Sequence, residues 1–394
     1  MKDTNDKIIG LILAFKTTNY GAQLQAYATQ QVINSFGLKS IIIDYRKPFG
    51  SYRHISWGKG VLRFYLESRQ QAKLKKKYRE DVTNDVFVQN NKQRKKQSQA
   101  FIEKRLEGVQ VFHSFRQVLN TVRHLSAILI GSDQKWGPGA CYSKISSLQV
   151  APDNVRKISY ATSLGVSSYP RYCYKKSKAM WNGIDYLSVR ERQGADIIKD
   201  VCGNDIKVEV VVDPTFLLTK EQWQSLMPVQ TMSPNKYVLC YFLGNDDGSK
   251  KCAKNFASAH GLTLVSIMSN ESYSPYDNEY ADILVKGASP EDFVNWIRGA
   301  EYIFTDSFHG MAFSVINEKQ FYIFYRRRLD AKQSRNSRID NLLSMFNLTD
   351  RLIENNEIDW SESKVTDINY SEVNCRLSEE REHSMRFLKE ALTF

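Results

Sequence analysis

The chain has 394 residues, is 42% hydrophobic and 12% aromatic, and carries a formal net charge of +12. Its length exceeds one typical core and suggests two or three domains, while its apolar content excludes a disordered chain. The positive balance points to an acidic partner: a phosphorylated substrate, an anionic membrane surface or nucleic acid.

Ile8 to Phe15 reads as a buried strand behind a polar leader, too short for a secretory signal, and no apolar stretch nears the roughly 18 residues of a membrane span. The six cysteines are scattered without a C-x-x-C pair, which fits reduced thiols in a cytosolic protein. A polar turn from Lys16 to Gly21 leads into a helix with Leu24, Tyr27, Ala28, Gln31 and Val32 near one face. Gly37 ends that helix before a strand over 40–45, which completes a βαβ unit. Its turn lacks G-x-G-x-x-G, and no G-x-x-x-x-G-K-[ST] occurs in the chain, so neither a dinucleotide fingerprint nor a P-loop is present. Asn19 and Gly21 still open a helix at a strand's carboxyl end, where ligands gather in open α/β sheets. An ordinary helix cap is the plainer explanation.

Residues 50–110 interrupt the βα rhythm. Between Lys59 and Arg105 there are fourteen Lys or Arg against five Asp or Glu. A solvated basic face is the default reading of such a run, contact with an anionic bilayer surface the sharper one. Nucleic acid is not expected, because aromatics do not regularly interleave the charges.

Ala127 to Ile130 is the next buried strand, and it runs into Gly131-Ser132-Asp133-Gln134-Lys135-Trp136, a loop rich in functional groups between helix breakers. Arg156 to Gly165 repeats the pattern of strand, small polar residues and glycine. A strand from Tyr186 ends at Arg190, whose planar fork suits a carboxylate or phosphate, although a structural pair with an acidic residue explains it as well. A strand over 208–212 stops at Asp213-Pro214, where a domain boundary is placed. A second βα series follows: a strand over 237–243, a helix over 248–260, a strand over 263–268 and a helix over 292–300. Asp246-Asp247 reads as a plain turn.

The run Tyr302 to Ser314 reads as strand, loop and helix start. Asp306 or Ser307 supplies the cap, and His309 stands over the first turn, as an acid or base beside an anion or as a merely structural histidine. A strand over 320–325 ends in Arg326-Arg327-Arg328, with Arg335 and Arg338 close behind. A final helix covers about 372–392. Two successive βα series argue for an α/β fold of two doubly wound, Rossmann-like domains facing a cleft. The N-terminal domain spans 1–213 with its basic insertion at about 50–110, the C-terminal domain 214–364, and the last helix, within 365–394, packs across their interface.

Several of these stretches resemble the polysaccharide pyruvyl transferase family. They are Asn19-Tyr20-Gly21-Ala22, Gly131-Ser132-Asp133-Gln134 with Trp136, Ser159-Tyr160-Ala161, Ser188-Val189-Arg190-Glu191, Asp213-Pro214-Thr215, Thr305-Asp306-Ser307-Phe308-His309-Gly310 and Arg338-Ile339. They fall in order between about residues 8 and 350. The resemblance implies a GT-B-like fold and transfer of the enolpyruvyl unit of phosphoenolpyruvate to two sugar hydroxyls as a cyclic ketal, in capsule or exopolysaccharide synthesis. It implies His309 as general acid or phosphate ligand, Arg190 as anion clamp and Asp133 as base or hydroxyl-orienting group. Asn19, Tyr20, Gly21, Gln134, Ser307 and Arg338 would line the substrate side. Many members carry Arg where this chain has Ser307; Arg326, Arg327, Arg335 or Arg338 would then supply that charge. No cofactor or metal is expected. The expected partners are phosphoenolpyruvate and a sugar acceptor, lipid-linked in one version, with the protein in the cytoplasm and 59–105 as a candidate docking surface on the membrane. The alternatives are a GT-B-type glycosyltransferase using a nucleotide sugar, and a non-catalytic phosphoglycan-binding protein.

Overall fold

The computed structural model describes residues 7–45, 69, 85–234, 236–326, 336–354, 358, 360 and 366–394. The first sheet contains β1 (Ile8–Ile12), β2 (Lys39–Tyr45), β3 (Val109–Phe112), β4 (Ala127–Ile130), β5 (Arg156–Thr162), β6 (Tyr186–Val189) and β7 (Glu209–Val210). Their order is β3-β2-β1-β4-β5-β6-β7. The second contains β8 (Tyr237–Tyr241), β9 (Thr263–Ile267), β10 (Ile283–Val285), β11 (Tyr302–Thr305), β12 (Gln320–Phe324) and β13 (Leu352–Ile353), in the order β10-β9-β8-β11-β12-β13. All pairings in both sheets are parallel.

The helices are α1 (Tyr20–Ser35), α2 (Asp85–Arg105), α3 (Phe115–Val122), α4 (Tyr174–Trp181), α5 (Arg192–Cys202), α6 (Lys220–Leu226), α7 (Asp247–Ala259), α8 (Pro290–Gly299), α9 (Phe308–Ile316), α10 (Ser337–Phe346) and α11 (Tyr370–Leu392). Central strands such as Ala127-Ile128-Leu129-Ile130 are buried along their whole length, as a parallel sheet covered on both faces requires. The fold is therefore two doubly wound α/β units. In each, the chain winds outward from the first strand, then returns to wind the other way from β4 or β11. The carboxyl ends of β1, β4, β8 and β11 thus border the two switch-point crevices, where an open α/β sheet presents ligands.

One continuous apolar core runs between the units. Trp223 of α6 packs 6.1 Å from Tyr27 of α1 and 5.1 Å from Phe313 of α9, ring centroid to centroid. Helix α11 returns to the first sheet: the Val212 N–H donates to Ser384 Oγ at 3.0 Å, and Arg156 Nη1 donates to the carbonyls of Ala391 and Thr393 at 2.9 and 2.6 Å.

The basic insertion behaves differently from a uniform charged face. Arg94 of α2 is fully buried. It donates through Nε to the Thr18 carbonyl at 2.8 Å, through Nη1 to the Met268 carbonyl at 3.1 Å and through Nη2 to the Tyr241 hydroxyl at 3.0 Å. Its guanidinium lies 3.6 Å from the centroid of Tyr20, a cation–π arrangement. Lys104 and Arg105 pair with Glu291 of α8, while Lys92, Lys95 and Lys96 are exposed. Part of the cationic stretch therefore fastens α2 across the two units. The rest of the expected docking surface, 59–84 apart from Arg69, lies outside the described residues. Among the described residues no helix is long and apolar enough to cross a membrane.

Candidate functional site

The site is assembled from the ends of strands. After β4, Ser132 is buried and Asp133 adopts φ 81°, a left-handed conformation uncommon for a residue with a side chain. The strained turn lets the Asp133 carbonyl accept from Lys135 N at 2.7 Å and Ser163 N at 3.0 Å, which ties the loop to the end of β5. After β6 comes Arg190, and after β7 comes Asp213, both buried.

These residues converge on one carboxylate. Asp213 Oδ2 accepts from Arg190 Nη1 at 2.6 Å and Ser132 Oγ at 2.7 Å, and Oδ1 accepts from Thr215 N at 3.1 Å and Thr215 Oγ1 at 2.8 Å. The same Oδ2 stands 3.8 Å from His309 Nε2. Arg190 Nε and Nη2 and His309 Nε2 are buried without a hydrogen-bond partner. Buried polar atoms are rarely left so. The nearest other acid is Glu191, whose Oε2 lies 3.9 Å from Arg190 Nε. Its Oε1 accepts from Ser163 Oγ and Leu164 N at 2.9 and 3.0 Å.

The second unit supplies His309 by the strand, loop and helix start that the sequence suggests. Ser307 caps α9, its Oγ accepting from Gly310 N at 3.3 Å. Asp306 turns the other way and accepts from Leu243 N and Gly244 N, both at 2.7 Å, bracing the end of β8. Gly310 makes room for Thr305: a Cβ there would meet Thr305 Oγ1 at 2.5 Å. Gly21 makes room for His309, because a Cβ on Gly21 would overlap Nδ1, Cγ and Cε1 of the imidazole. The ring of Phe308 has two guanidiniums near its centroid, Arg190 at 4.5 Å and Arg338 at 5.8 Å. Asn341 of α10 holds the Arg190 segment, accepting from Arg192 N at 3.2 Å and donating to the Arg190 carbonyl at 3.5 Å.

Electrostatics follow from this packing. Burial pushes the Asp213 carboxyl upward, but the facing His309 and Arg190 and the Ser132 hydroxyl outweigh it and hold the group well below the usual carboxylate range. At Asp133, too, burial acts upward and is overcome, by Arg190, the Gln134 backbone amide, His309 and Arg338. Burial depresses the Lys135 amine, with Asp133 pulling the other way. Burial raises the Asp306 carboxyl against the opposing pull of Arg326.

Of the residues singled out from sequence, His309, Arg190, Gly21, Asp133 and Arg338 are brought into this cluster. Asn19 caps α1, its Oδ1 accepting from Ala22 N at 3.2 Å. Gln134 lies across Gly165, where φ is +64° and a Cβ would meet its Cγ at 2.8 Å. Tyr20 is engaged elsewhere: its ring stacks 4.8 Å from Phe293 and its hydroxyl donates to the Ala288 carbonyl at 2.8 Å. Arg326 reaches Asp306 at 3.6 Å and Glu271 at 3.4 Å, while Arg327, Arg328 and Arg335 lie outside the described residues. Asp246 is a cap, accepting from Gly248 N at 3.3 Å and Ser249 Oγ at 2.7 Å. Asp213, Ser132, Glu191 and Phe308 were given no role from sequence. The signals for Asp213 were its place at a strand end beside proline and the family-like stretch Asp213-Pro214-Thr215. Among the described residues no group of three or more His, Cys, Asp or Glu is placed to hold a metal ion. A cavity of about 380 Å³ lies elsewhere, lined in part by Arg105, Met227, Glu291 and Asn295.

Several solved structures align along nearly the whole chain. A UDP-N-acetylglucosamine 2-epimerase from Rickettsia bellii is 10% identical over 98% of this chain and 96% of its own, with a TM-score of 0.48. MurG from Acinetobacter baumannii is 7% identical over 97% and 98%, at 0.46, and UGT2 from Phytolacca americana 10% identical over 98% of each, at 0.48. No curated protein matches in sequence. The family model for polysaccharide pyruvyl transferase matches residues 19–328, a span that holds Gly21, Asp133, Arg190, Asp213 and His309. The chain belongs to the polysaccharide pyruvyl transferase family.

Proposed function

We propose that this protein transfers the enolpyruvyl unit of phosphoenolpyruvate to two hydroxyls of a sugar, forming a cyclic ketal on a surface polysaccharide or its lipid-linked precursor. The observation that carries the reading is Arg190. It is a buried guanidinium whose Nη1 is held by Asp213 while Nη2 and Nε keep no hydrogen-bond partner, beside the imidazole of His309. A buried donor pair of this kind suits a carboxylate or phosphate oxygen. Arg338, 5.8 Å from the centroid of the Phe308 ring, adds a second cation.

In this reading His309 delivers a proton to the methylene carbon of phosphoenolpyruvate, which becomes the methyl group. One sugar hydroxyl adds at the adjacent carbon, the carbon–phosphate oxygen bond breaks, and the second hydroxyl closes the ring. The two hydroxyls release two protons: one replaces the proton given to carbon and one leaves with phosphate. Asp133, held ionised near Arg190 and His309, is placed to receive or orient a hydroxyl.

Calorimetric titration of phosphoenolpyruvate into the wild type, Arg190→Ala and His309→Ala tests the reading, with UDP-glucose as a parallel ligand. Binding to the wild type that weakens by about 2 kcal/mol in Arg190→Ala is expected. Uptake of UDP-glucose alone would replace it with glycosyl transfer.

A further inference from the structure

We infer that Asp213 is a positioning residue that sets the Arg190 clamp and the His309 imidazole as one unit. Its side chain has no exposed surface, and its oxygens receive four donors. Donors on both oxygens fix the group in rotation as well as in place, and the electrostatic reach of Oδ2 extends past them to the imidazole. Oδ2, the oxygen bound to Arg190 and Ser132, is also the one facing Nε2 of His309. At 3.8 Å that last contact is longer than a hydrogen bond, and Nε2 makes no other. Such gaps in an unliganded site close when substrate tightens it.

Position along the chain adds meaning. Asp213 lies three residues past the last strand of the first sheet, whereas His309 sits in the first turn of α9 on the second. The carboxylate is thus the link through which the clamp of one unit addresses the proton donor of the other. Of the other groups around the imidazole, Gly21 presents only backbone and the Phe308 ring meets it edge-on at 5.1 Å, while Asp133 acts on it through charge.

Removing the charge has a definite consequence for Arg190. The nearest remaining carboxylate is Glu191, whose Oε2 is buried and without a hydrogen bond. The guanidinium would turn toward it and spend the Nε edge that a ligand needs. An amide at 213 cannot serve, because one of its two positions would point N–H groups at existing donors.

The inference rests on the pyruvyl-transfer reading for its ligand, so the test has an arm that does not. Imidazole nitrogens of the wild type, Asp213→Asn and Thr215→Val are observed by 1H–15N correlation, with His309→Gln identifying the His309 signals. Phosphoenolpyruvate affinity is measured on the same samples. The expected result for folded Asp213→Asn is displaced His309 ring signals and affinity about tenfold weaker. Thr215→Val, which removes one donor from the oxygen remote from the site, stays within about threefold of the wild type. A folded Asp213→Asn with a lowered Tm but unchanged His309 signals and affinity would make Asp213 a purely structural hub and overturn the inference. If Asp213→Asn does not fold, Ser132→Ala decides, since it removes a donor from Oδ2 itself: displaced His309 signals support the inference, unchanged ones overturn it. Absence of phosphoenolpyruvate binding to the wild type would sink the pyruvyl reading alone, and the imidazole signals would still decide the role of Asp213.

Discussion

Gly21→Ala tests the joint between the two units at the site. The added methyl would lie closer than 3.0 Å to Nδ1, Cγ and Cε1 of His309, separations that real Cβ atoms essentially never show. The ring has to move, and it is buried against Asp213. Gly21 lies in the first turn of α1, where alanine by itself gains at most about 0.5–1 kcal/mol. Overpacking costs about 1–3 kcal/mol. The clash wins, and the net loss is about 1–2 kcal/mol, a fall in Tm of roughly 1–3 °C for a chain of this size. The assay is a double-mutant cycle in urea with His309→Ala, which removes the ring that the methyl strikes. In that background Gly21→Ala becomes neutral or stabilising, giving a coupling energy of about 2 kcal/mol. A coupling below about 0.5 kcal/mol would refute the contact and with it the placement of His309 against α1.

Arg94→Ala loses three hydrogen bonds and a stacked cation that span the two units; a loss of about 3 kcal/mol is expected in chemical denaturation. Gly165→Ala forces a side chain into φ +64° against Gln134, at a cost of about 1–2 kcal/mol by the same measurement. The depressed folded pKa of Asp213 means the unfolded chain binds the extra proton. Its contribution is therefore fully present above about pH 4 and is lost as pH falls further. Stability of the wild type below pH 4 should decline more steeply than that of Asp213→Asn, by up to about 1.4 kcal/mol per pH unit.

Much of the framework was legible because buried parallel strands announce themselves as short apolar runs between turn residues. Ala127–Ile130 is such a run, and the expected element and the observed one coincide. The helix expected over 292–300 is observed as Pro290–Gly299, two residues earlier, because Ser289 forms a capping box with Asp292 and Pro290 opens the first turn. What escaped was marginal in local signal. Strand β3 lies at the sheet edge with Gln110 and Val111 exposed, and β13 has two residues. At the site, residue chemistry and strand-end position pointed to Arg190 and His309. They could not point to Asp213, whose partners lie 23, 81 and 96 residues away and are chosen by sheet order. Tyr20 shows the converse. It adjoins Gly21 in sequence, yet the helix turns its ring toward Phe293 and Arg94.

The return of α11 to the first sheet governs how the protein is made. Arg156 and Val212 leave the ribosome long before the partners they bind on 384–393 exist. At about 5–20 residues per second the wait is on the order of ten to fifty seconds. During it the emerging first half holds a face that α11 later covers, including Tyr160 and Tyr186, which pack on Phe387. The two halves are therefore completed together, once α11 has been made, and a chain stopped before Tyr370 would be a client for chaperones and proteases.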